Sequence, residues 1–261
     1  MRILALDSSG LVASVAVVEN DTLLAEYTVN YKKTHSQTLL PMLDEISNMT
    51  ELDLSTIDAI AVAGGPGSFT GLRIGSATAK GLGLALEKPL ISIPTTAAIA
   101  YNIWDTDKFV CPIMDARRNQ VYTGVYCYTD HRLDTVWEQD TMSIEALAEG
   151  LNCLDHEVIF LGDGVAVYRE KLEALLTIPF SFAPAHVNRQ RAAAVGALAE
   201  VYYKEGKIQT AEEHEPEYLR KSQAERERAE RESVKHADVV IVNKVQINET
   251  SIGEAEHLKL V

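Results

Sequence analysis

A glycine-rich stretch from residue 64 to residue 83 constrains the fold more than any other part of the chain. It begins as a loop and continues as a helix, and the apolar run at residues 59–63 before it predicts a buried strand. The order strand, loop, helix is where α/β proteins place phosphate sites. A P-loop needs Gly-Lys-Ser/Thr at its end, a dinucleotide fingerprint needs glycine at Thr70, and a hydrolase nucleophile elbow needs glycines at Pro66 and Thr70. None of these three motifs is present.

The helix in this stretch carries small residues on one face. They recur every four positions, at Gly71, Gly75, Ala79 and Gly83, so that another backbone can approach closely. Glycine inside a helix costs roughly 1 kcal/mol relative to alanine, and packing must therefore stabilise this helix. The pattern is compatible with a helix contact inside one domain and with a subunit interface.

Length and charge limit the classes of function. A chain of 261 residues is long enough for one large or two smaller domains. Its net charge of -14 argues against this chain alone binding a phosphate backbone. The three cysteines are widely spaced and include no Cys-x-x-Cys pair. No apolar run reaches the ~20 residues of a membrane span. Asp7 follows the N-terminal apolar run too early for a signal peptide. We therefore expect a cytoplasmic protein without membrane contact.

Two similar halves are predicted from the hydrophobic pattern, each with the order βββαβα. The first half predicts strands at 2–6, 12–18, 23–31, 59–63 and 89–93, with helices at 36–48, 70–86 and 95–104. The second half predicts strands at 109–114, 121–128, 133–139 and 158–161, with helices at 143–151, 165–176 and 191–205. The expected fold is α/β, with domains at 1–107 and 108–210.

A charged C-terminal segment and tail, residues 211–261, form the third predicted region. The mixed charges between Arg220 and Glu232 favour a solvated helix with i to i+4 pairs. Residues 239–242 are apolar and fit either an edge strand or a tail.

Two acidic turns are candidates for a nucleotide site, because each follows the first strand of its half. Short hydroxyl and amide donors surround the first, whereas Arg117 and Arg118 follow the second in place of the small residues that let amides approach a phosphate. A Gly-Asp-Gly turn near residue 163 is a candidate adenosine loop. The candidate residues of this degraded site are Asp7, Ser8, Ser9, Asp115, Gly162, Asp163 and Gly164. The alternative function that they favour is a stand-alone kinase or ATPase.

Metal chemistry and hydrolysis have little support in the sequence. The seven histidines include no pair three to five residues apart, so no metal site is predicted. No Ser/His/Asp set stands out, and we predict no catalytic residue and no cofactor.

Five segments together resemble the TsaB family of bacterial tRNA threonylcarbamoyladenosine biosynthesis proteins, over about residues 1 to 225. They are Asp7-Ser8-Ser9, Thr34-His35-Ser36-Gln37-Thr38-Leu39-Leu40-Pro41, Gly64-Gly65-Pro66-Gly67-Ser68-Phe69-Thr70-Gly71-Leu72-Arg73-Ile74-Gly75, Asp115-Ala116-Arg117-Arg118 and Tyr218-Leu219-Arg220-Lys221. The resemblance implies an actin-like fold. It also implies a non-catalytic partner of the paralogue TsaD, whose His-x-x-x-His metal motif is missing here.

The resemblance further implies a scaffold and activator subunit. TsaD would transfer threonylcarbamoyl to the adenosine next to the anticodon, the ATPase TsaE would join, and tRNA would meet this chain only indirectly. The helices at 36–48 and 70–86 would pair with TsaD, or with a second copy as a homodimer when TsaD is absent. The expected interface residues are Leu39, Leu43, Ile46, Phe69, Leu72, Arg73, Gly75 and Ala79.

Overall fold

The same order of strands and helices occurs twice along the chain. The computed structural model describes residues 1–31 and 35–220. The first half contains β1 (Arg2–Asp7), β2 (Ala13–Glu19), β3 (Thr22–Val29), α1 (Leu39–Thr50), β4 (Ala59–Gly65), α2 (Phe69–Leu86), β5 (Leu90–Pro94) and α3 (Thr95–Ala100). The second contains β6 (Phe109–Asp115), β7 (Gln120–Thr129), β8 (Arg132–Ser143), α4 (Ile144–Leu154), β9 (Val158–Leu161), α5 (Val165–Leu175), β10 (Phe180–Phe182) and α6 (Ala192–Lys204).

Each half builds a five-stranded sheet with the same strand order. The first sheet runs β3-β2-β1-β4-β5 and the second runs β8-β7-β6-β9-β10. In both, the first strand pairs antiparallel with the second and parallel with the fourth. The helices α2 and α5 cross over between parallel neighbours, β4 to β5 and β9 to β10, as such pairs require. The prediction of an α/β fold with duplicated halves is confirmed.

The structure changes several predicted boundaries. β10 was not predicted, because three residues are too few to show an alternating pattern. A 3-10 turn at His35–Gln37 precedes α1, which therefore begins at Leu39 and not at residue 36. α3 ends at Ala100, and β8 continues to Ser143.

Successive residues of β1 enter two different cores. Ile3 and Ala5 face a central core shared with β6, α3 and α6, whereas Leu4 and Leu6 face the core under α1 and α2. A third core lies between the second sheet and the helices α4 and α5. α1 and α2 therefore cover the side of the first sheet that faces away from the second half.

Residues 1–219 form one compact unit. The limits 1–107 and 108–210 stay predictions, and α6 of the second half packs on β1 and β2 of the first sheet. Most of the predicted charged segment, from residue 221 on, lies outside the described residues, and so do residues 239–242. Within residues 1–31 and 35–220, no helix is long and apolar enough to cross a membrane.

Candidate functional site

The first acidic turn, at the end of β1, is held together by hydrogen bonds between its own residues. Asp7 is fully buried, and its Oδ1 accepts hydrogen bonds from the Ser9 amide at 2.9 Å and the Ser9 hydroxyl at 2.7 Å. Its Oδ2 is buried and has no hydrogen-bond partner within residues 1–31 and 35–220. Burial raises the pKa of Asp7 to about 6, although the Ser9 hydrogen bonds and the nearby His35 favour the ionised form. The turn therefore holds a buried carboxyl group whose pKa lies above its ordinary value of 3.8.

The start of α2 is fastened to this turn. The Ser68 amide donates to the Ser9 carbonyl at 2.7 Å, and the Ser8 hydroxyl donates to the Gly71 carbonyl at 2.9 Å. A Cβ added at Gly71 would lie 2.0 Å from the Ser8 carbonyl oxygen. Glycine is therefore required at residue 71 so that the helix backbone can lie against the Asp7 turn.

Gly10, at the end of the same turn, is contacted from two further elements. His35 lies just before α1, and its Nε2 donates a hydrogen bond of 2.8 Å to the Gly10 carbonyl. Gln190, just before α6, lies so close that a Cβ added at Gly10 would be 2.5 Å from its Nε2. His35 Nδ1 and both amide atoms of Gln190 are buried and have no hydrogen-bond partner among the residues that the structure describes. The Asp7 turn thus joins the starts of α1, α2 and α6.

The second acidic turn has a different geometry. Asp115 ends β6, and its Oδ1 accepts from the Arg117 amide at 2.9 Å and the Tyr168 hydroxyl at 3.2 Å. Residues 117–119 have φ values of 65°, 55° and 61°. Burial raises the pKa of the neighbouring Asp163, while Arg189 lowers it. The second turn is thus held by its own backbone and by α5.

The outward side of α2 forms an exposed strip that we call the outer α2 face. It consists of Thr70, Arg73, Ala77, Gly81 and Leu84. Within residues 1–31 and 35–220, a Cβ added at Gly81 would meet no other element within 4 Å, and Leu84 is 58% exposed. On α1, Leu40 is exposed as well, at 54%. At the start of α2, the Arg73 guanidinium carbon lies 4.1 Å from the centre of the Phe69 ring, which stacks on Tyr218.

Comparison with characterised proteins gives the family. The tRNA threonylcarbamoyladenosine biosynthesis protein TsaB of Bacillus subtilis is 32% identical, over 86% of this chain and 96% of that protein. The chain belongs to the TsaB family. TsaB of Escherichia coli is 31% identical over the same shares of the two chains. Residues 22–228 also match the family model described as TsaD, tRNA N6-adenosine threonylcarbamoyltransferase.

Solved structures agree with the TsaB assignment. YeaZ from Pseudomonas aeruginosa has a TM-score of 0.73 at 27% identity, covering 84% of this chain and 99% of that one. A Pseudomonas aeruginosa protein described as similar to the peptidase YeaZ has a TM-score of 0.74 with the same identity and coverage. Together with the duplicated strand order, these likenesses confirm the actin-like fold that the TsaB resemblance implies.

The seven candidate nucleotide residues of this TsaB-family chain use many of their polar groups internally. Beyond the hydrogen bonds of Ser8 and Ser9 given above, the Gly162 amide donates to the Asn188 carbonyl at 2.9 Å, and the Gly164 amide donates to the Ile113 carbonyl at 3.0 Å. A phosphate-binding turn presents such donors to its ligand. Nucleotide binding at these seven residues stays a prediction, and the internal pairing weakens it.

Most of the eight expected interface residues lie inside the TsaB-family fold. Leu39, Leu43, Ile46, Leu72, Gly75 and Ala79 are buried, whereas Phe69 is half-buried and Arg73 is exposed. The small-residue face of α2 packs on Ser8, Val62 and Leu90 of its own half. An internal contact with the sheet and the Asp7 turn accounts for the small residues of this face, and the expected partner interface at the eight residues stays a prediction.

His35 and Gln190 are the site residues that sequence reasoning missed. His35 stands in one of the segments that carry the family resemblance, but an isolated histidine at a helix start usually caps or faces solvent. Gln190 has no motif around it, and only the folded chain places it beside Gly10. Among the residues that the structure describes, no three His, Cys, Asp or Glu side chains group as metal ligands.

Proposed function

We propose that this chain is a non-catalytic scaffold and activator subunit that binds TsaD in tRNA threonylcarbamoyladenosine biosynthesis. In this role it activates TsaD for threonylcarbamoyl transfer to the adenosine next to the anticodon. The names of its relatives support the pathway. The outer α2 face is the observation that carries the role.

Gly81 is the strongest support for a partner on this face. A glycine inside a helix costs about 1 kcal/mol relative to alanine. At Gly71 the close contact with Ser8 explains the glycine, but within residues 1–31 and 35–220 no other element approaches the Cβ position of Gly81. Its small size therefore serves no packing contact among these described residues and leaves room for a partner. With Ala77 also exposed on the same strip, a helix of another protein can approach the α2 backbone closely.

The outer α2 face runs from Arg73, near the start of α2, to Leu84, near its end. The half-buried Phe69, beside Arg73, and the exposed Leu40 on α1 extend this surface. Among the eight residues expected from the family resemblance, we propose that Phe69 and Arg73 contact TsaD directly. The six buried residues hold α1 and α2 on the sheet and so position the contacting side chains.

The stand-alone kinase or ATPase is the less supported alternative. It needs free donors at the acidic turns, and the hydroxyl and amide groups there bond within the chain. We therefore place the chemistry in the TsaD partner, with TsaE as a further member of the assembly. In the absence of TsaD, we propose that a second copy pairs on the same α1 and α2 surface.

Co-purification with TsaD, followed by a tRNA modification assay, tests this proposal. TsaD with TsaE and the carbamoyl donor is expected to modify tRNA only when this chain is added. Modification that is equally fast without the chain, or no complex with TsaD, would reject the proposal. Calorimetry with ATP and magnesium on the isolated chain examines the alternative, which predicts heat that Asp7→Ala abolishes.

A further inference from the structure

The Asp7 turn is a junction between the first sheet and both helices of the proposed TsaD surface. Ser8 bonds the backbone of α2 at Gly71, and His35 bonds the Gly10 carbonyl just before α1. The third connection is to Gln190, which precedes α6. A change in the conformation of this turn therefore changes the positions of the starts of both α1 and α2.

Buried polar atoms in and beside the turn are unpaired among the residues that the structure describes. Asp7 and Gln190 are each at most 1% exposed, yet Asp7 Oδ2 and both amide atoms of Gln190 have no hydrogen-bond partner there. Most buried polar groups are hydrogen-bonded, and an unpaired charged oxygen costs more than a neutral one. Ionised Asp7 therefore favours any opening of the turn that admits water, whereas protonated Asp7 favours the closed turn.

We propose that the Asp7 turn is a proton-linked joint, in which protonation of the Asp7 carboxyl closes the turn on α1 and α2 and thereby favours binding of TsaD to their outer surface. This inference rests on the proposed function, which places TsaD on these helices. Bound TsaD holds α1 and α2 against the sheet and so keeps the turn closed. Because coupling is reciprocal, binding then takes up protons and tightens as the pH falls.

The charges around Asp7 come mainly from one residue. His35 lies just before α1, and its positive form would favour ionised Asp7. Near Gln190, Arg191 is paired with Glu26 of β3. In the described part of the chain, the other elements packed on the turn present uncharged groups: Ser14 of β2, Val62 of β4, and Gly71 and Gly75 of α2. The proton is therefore assigned to Asp7, with His35 as its electrostatic neighbour.

Calorimetry of TsaD binding tests the joint. Wild-type chain and Asp7→Asn are titrated into TsaD between pH 5.5 and pH 8, in buffers of different ionisation enthalpy, so that the protons taken up can be counted. Asp130→Asn is the matched control, because Asp130 lies exposed in the turn between β7 and β8. We expect the wild type and the control to bind TsaD more tightly toward pH 6. The total gain in affinity from high to low pH is tenfold for each unit by which binding raises the pKa of Asp7. We expect Asp7→Asn to lose this pH dependence.

Two results separate the joint from the proposed function. Equal proton uptake by wild type and Asp7→Asn, with TsaD bound, overturns the joint alone. Absence of TsaD binding at every pH by folded chains overturns the proposed function. Hydrogen exchange of residues 35–46 in the free chain then decides on the joint, which predicts pH-dependent opening in wild type and none in Asp7→Asn.

A further measurement covers the case in which Asp7→Asn does not fold. The carboxyl carbon of Asp7 in the wild-type chain is titrated by NMR with and without TsaD. The joint predicts a higher pKa in the complex. An unchanged or lower pKa overturns it.

Discussion

The hydroxyl of Ser8 donates a 2.9 Å hydrogen bond to the carbonyl of Gly71, and the Ser8 carbonyl lies 2.0 Å from where a Cβ of residue 71 would be. This one pair ties the end of β1 to the first turn of α2. It also explains why the chain is rich in glycine at a place where sequence alone pointed first to phosphate binding.

Gly71→Ala is therefore expected to destabilise the fold, because the added methyl group meets the rigid Ser8 backbone. We expect a loss of about 1–3 kcal/mol in the free energy of unfolding, as for other overpacked sites. Urea denaturation followed by circular dichroism measures it. Gly81→Ala is the matched control, since its methyl group meets open space, and it is expected to stabilise the helix by up to about 1 kcal/mol. Equal effects of the two changes would contradict the packing described here.

Gly75→Leu is expected to unfold the chain rather than to remove partner binding selectively. A Cβ at Gly75 would lie 2.5 Å from the Ser8 hydroxyl oxygen and 3.5 Å from a methyl group of Val62, and a leucine side chain needs still more room. Circular dichroism and thermal unfolding measure the outcome. A cooperatively folded Gly75→Leu chain of wild-type stability would show that the small-residue face is not packed inside.

Asp7→Asn is expected to stabilise the isolated chain at neutral pH. The pKa of Asp7 is raised by burial from 3.8 to about 6, so the folded chain binds the proton more tightly than the unfolded chain does. The stabilisation of the folded chain by proton binding at Asp7 is fully present below pH 3.8 and is lost as the pH rises through about 6. The free energy of unfolding falls by at most about 3 kcal/mol over this range. Urea denaturation at several pH values checks this. A wild-type chain whose stability difference from Asp7→Asn is the same at pH 4.5 and pH 7.5 would contradict it.

His214 has the opposite effect on the pH dependence of folding stability. It is buried, its Nδ1 bonds Gln209 at 2.6 Å, and burial, with the positive Lys80 nearby, lowers its pKa below 6.5. The unfolded chain therefore binds the proton more readily, and the stability that neutral His214 contributes is lost as the pH falls below 6.5. His214→Gln is expected to flatten this acid dependence, and His186→Gln, at an exposed histidine, is expected to leave it unchanged. Urea denaturation between pH 5 and pH 7.5 compares them, and the same acid dependence in all three chains would count against the assignment.

The order of strands and helices could be predicted from the sequence, because it depends on hydrophobic patterns that extend over more than one helical turn. The alternating runs at β1, β2 and β6 and the helical spacing of α1 and α2 predict the duplicated halves. β10 escaped prediction because its three residues hold no period.

The site was less accessible, because its geometry depends on contacts between distant positions. The four-residue spacing of small residues in α2 indicates close packing but does not say against what. The structure shows that Gly71 contacts Ser8, 63 positions earlier, whereas Gly81 contacts no other element of the described part of the chain. His35 and Gln190 lie 155 positions apart, the difference of their numbers, and both lie against Gly10.

Binding of TsaD to the outer α2 face is tested most directly by one matched pair of variants. Leu84 on α2 and Val167 on α5 are both 58% exposed, so that glutamate at either position disturbs the fold little. Calorimetric titration with TsaD is expected to show at least a tenfold weaker complex for Leu84→Glu and wild-type affinity for Val167→Glu. Wild-type affinity of a folded Leu84→Glu chain would contradict the account.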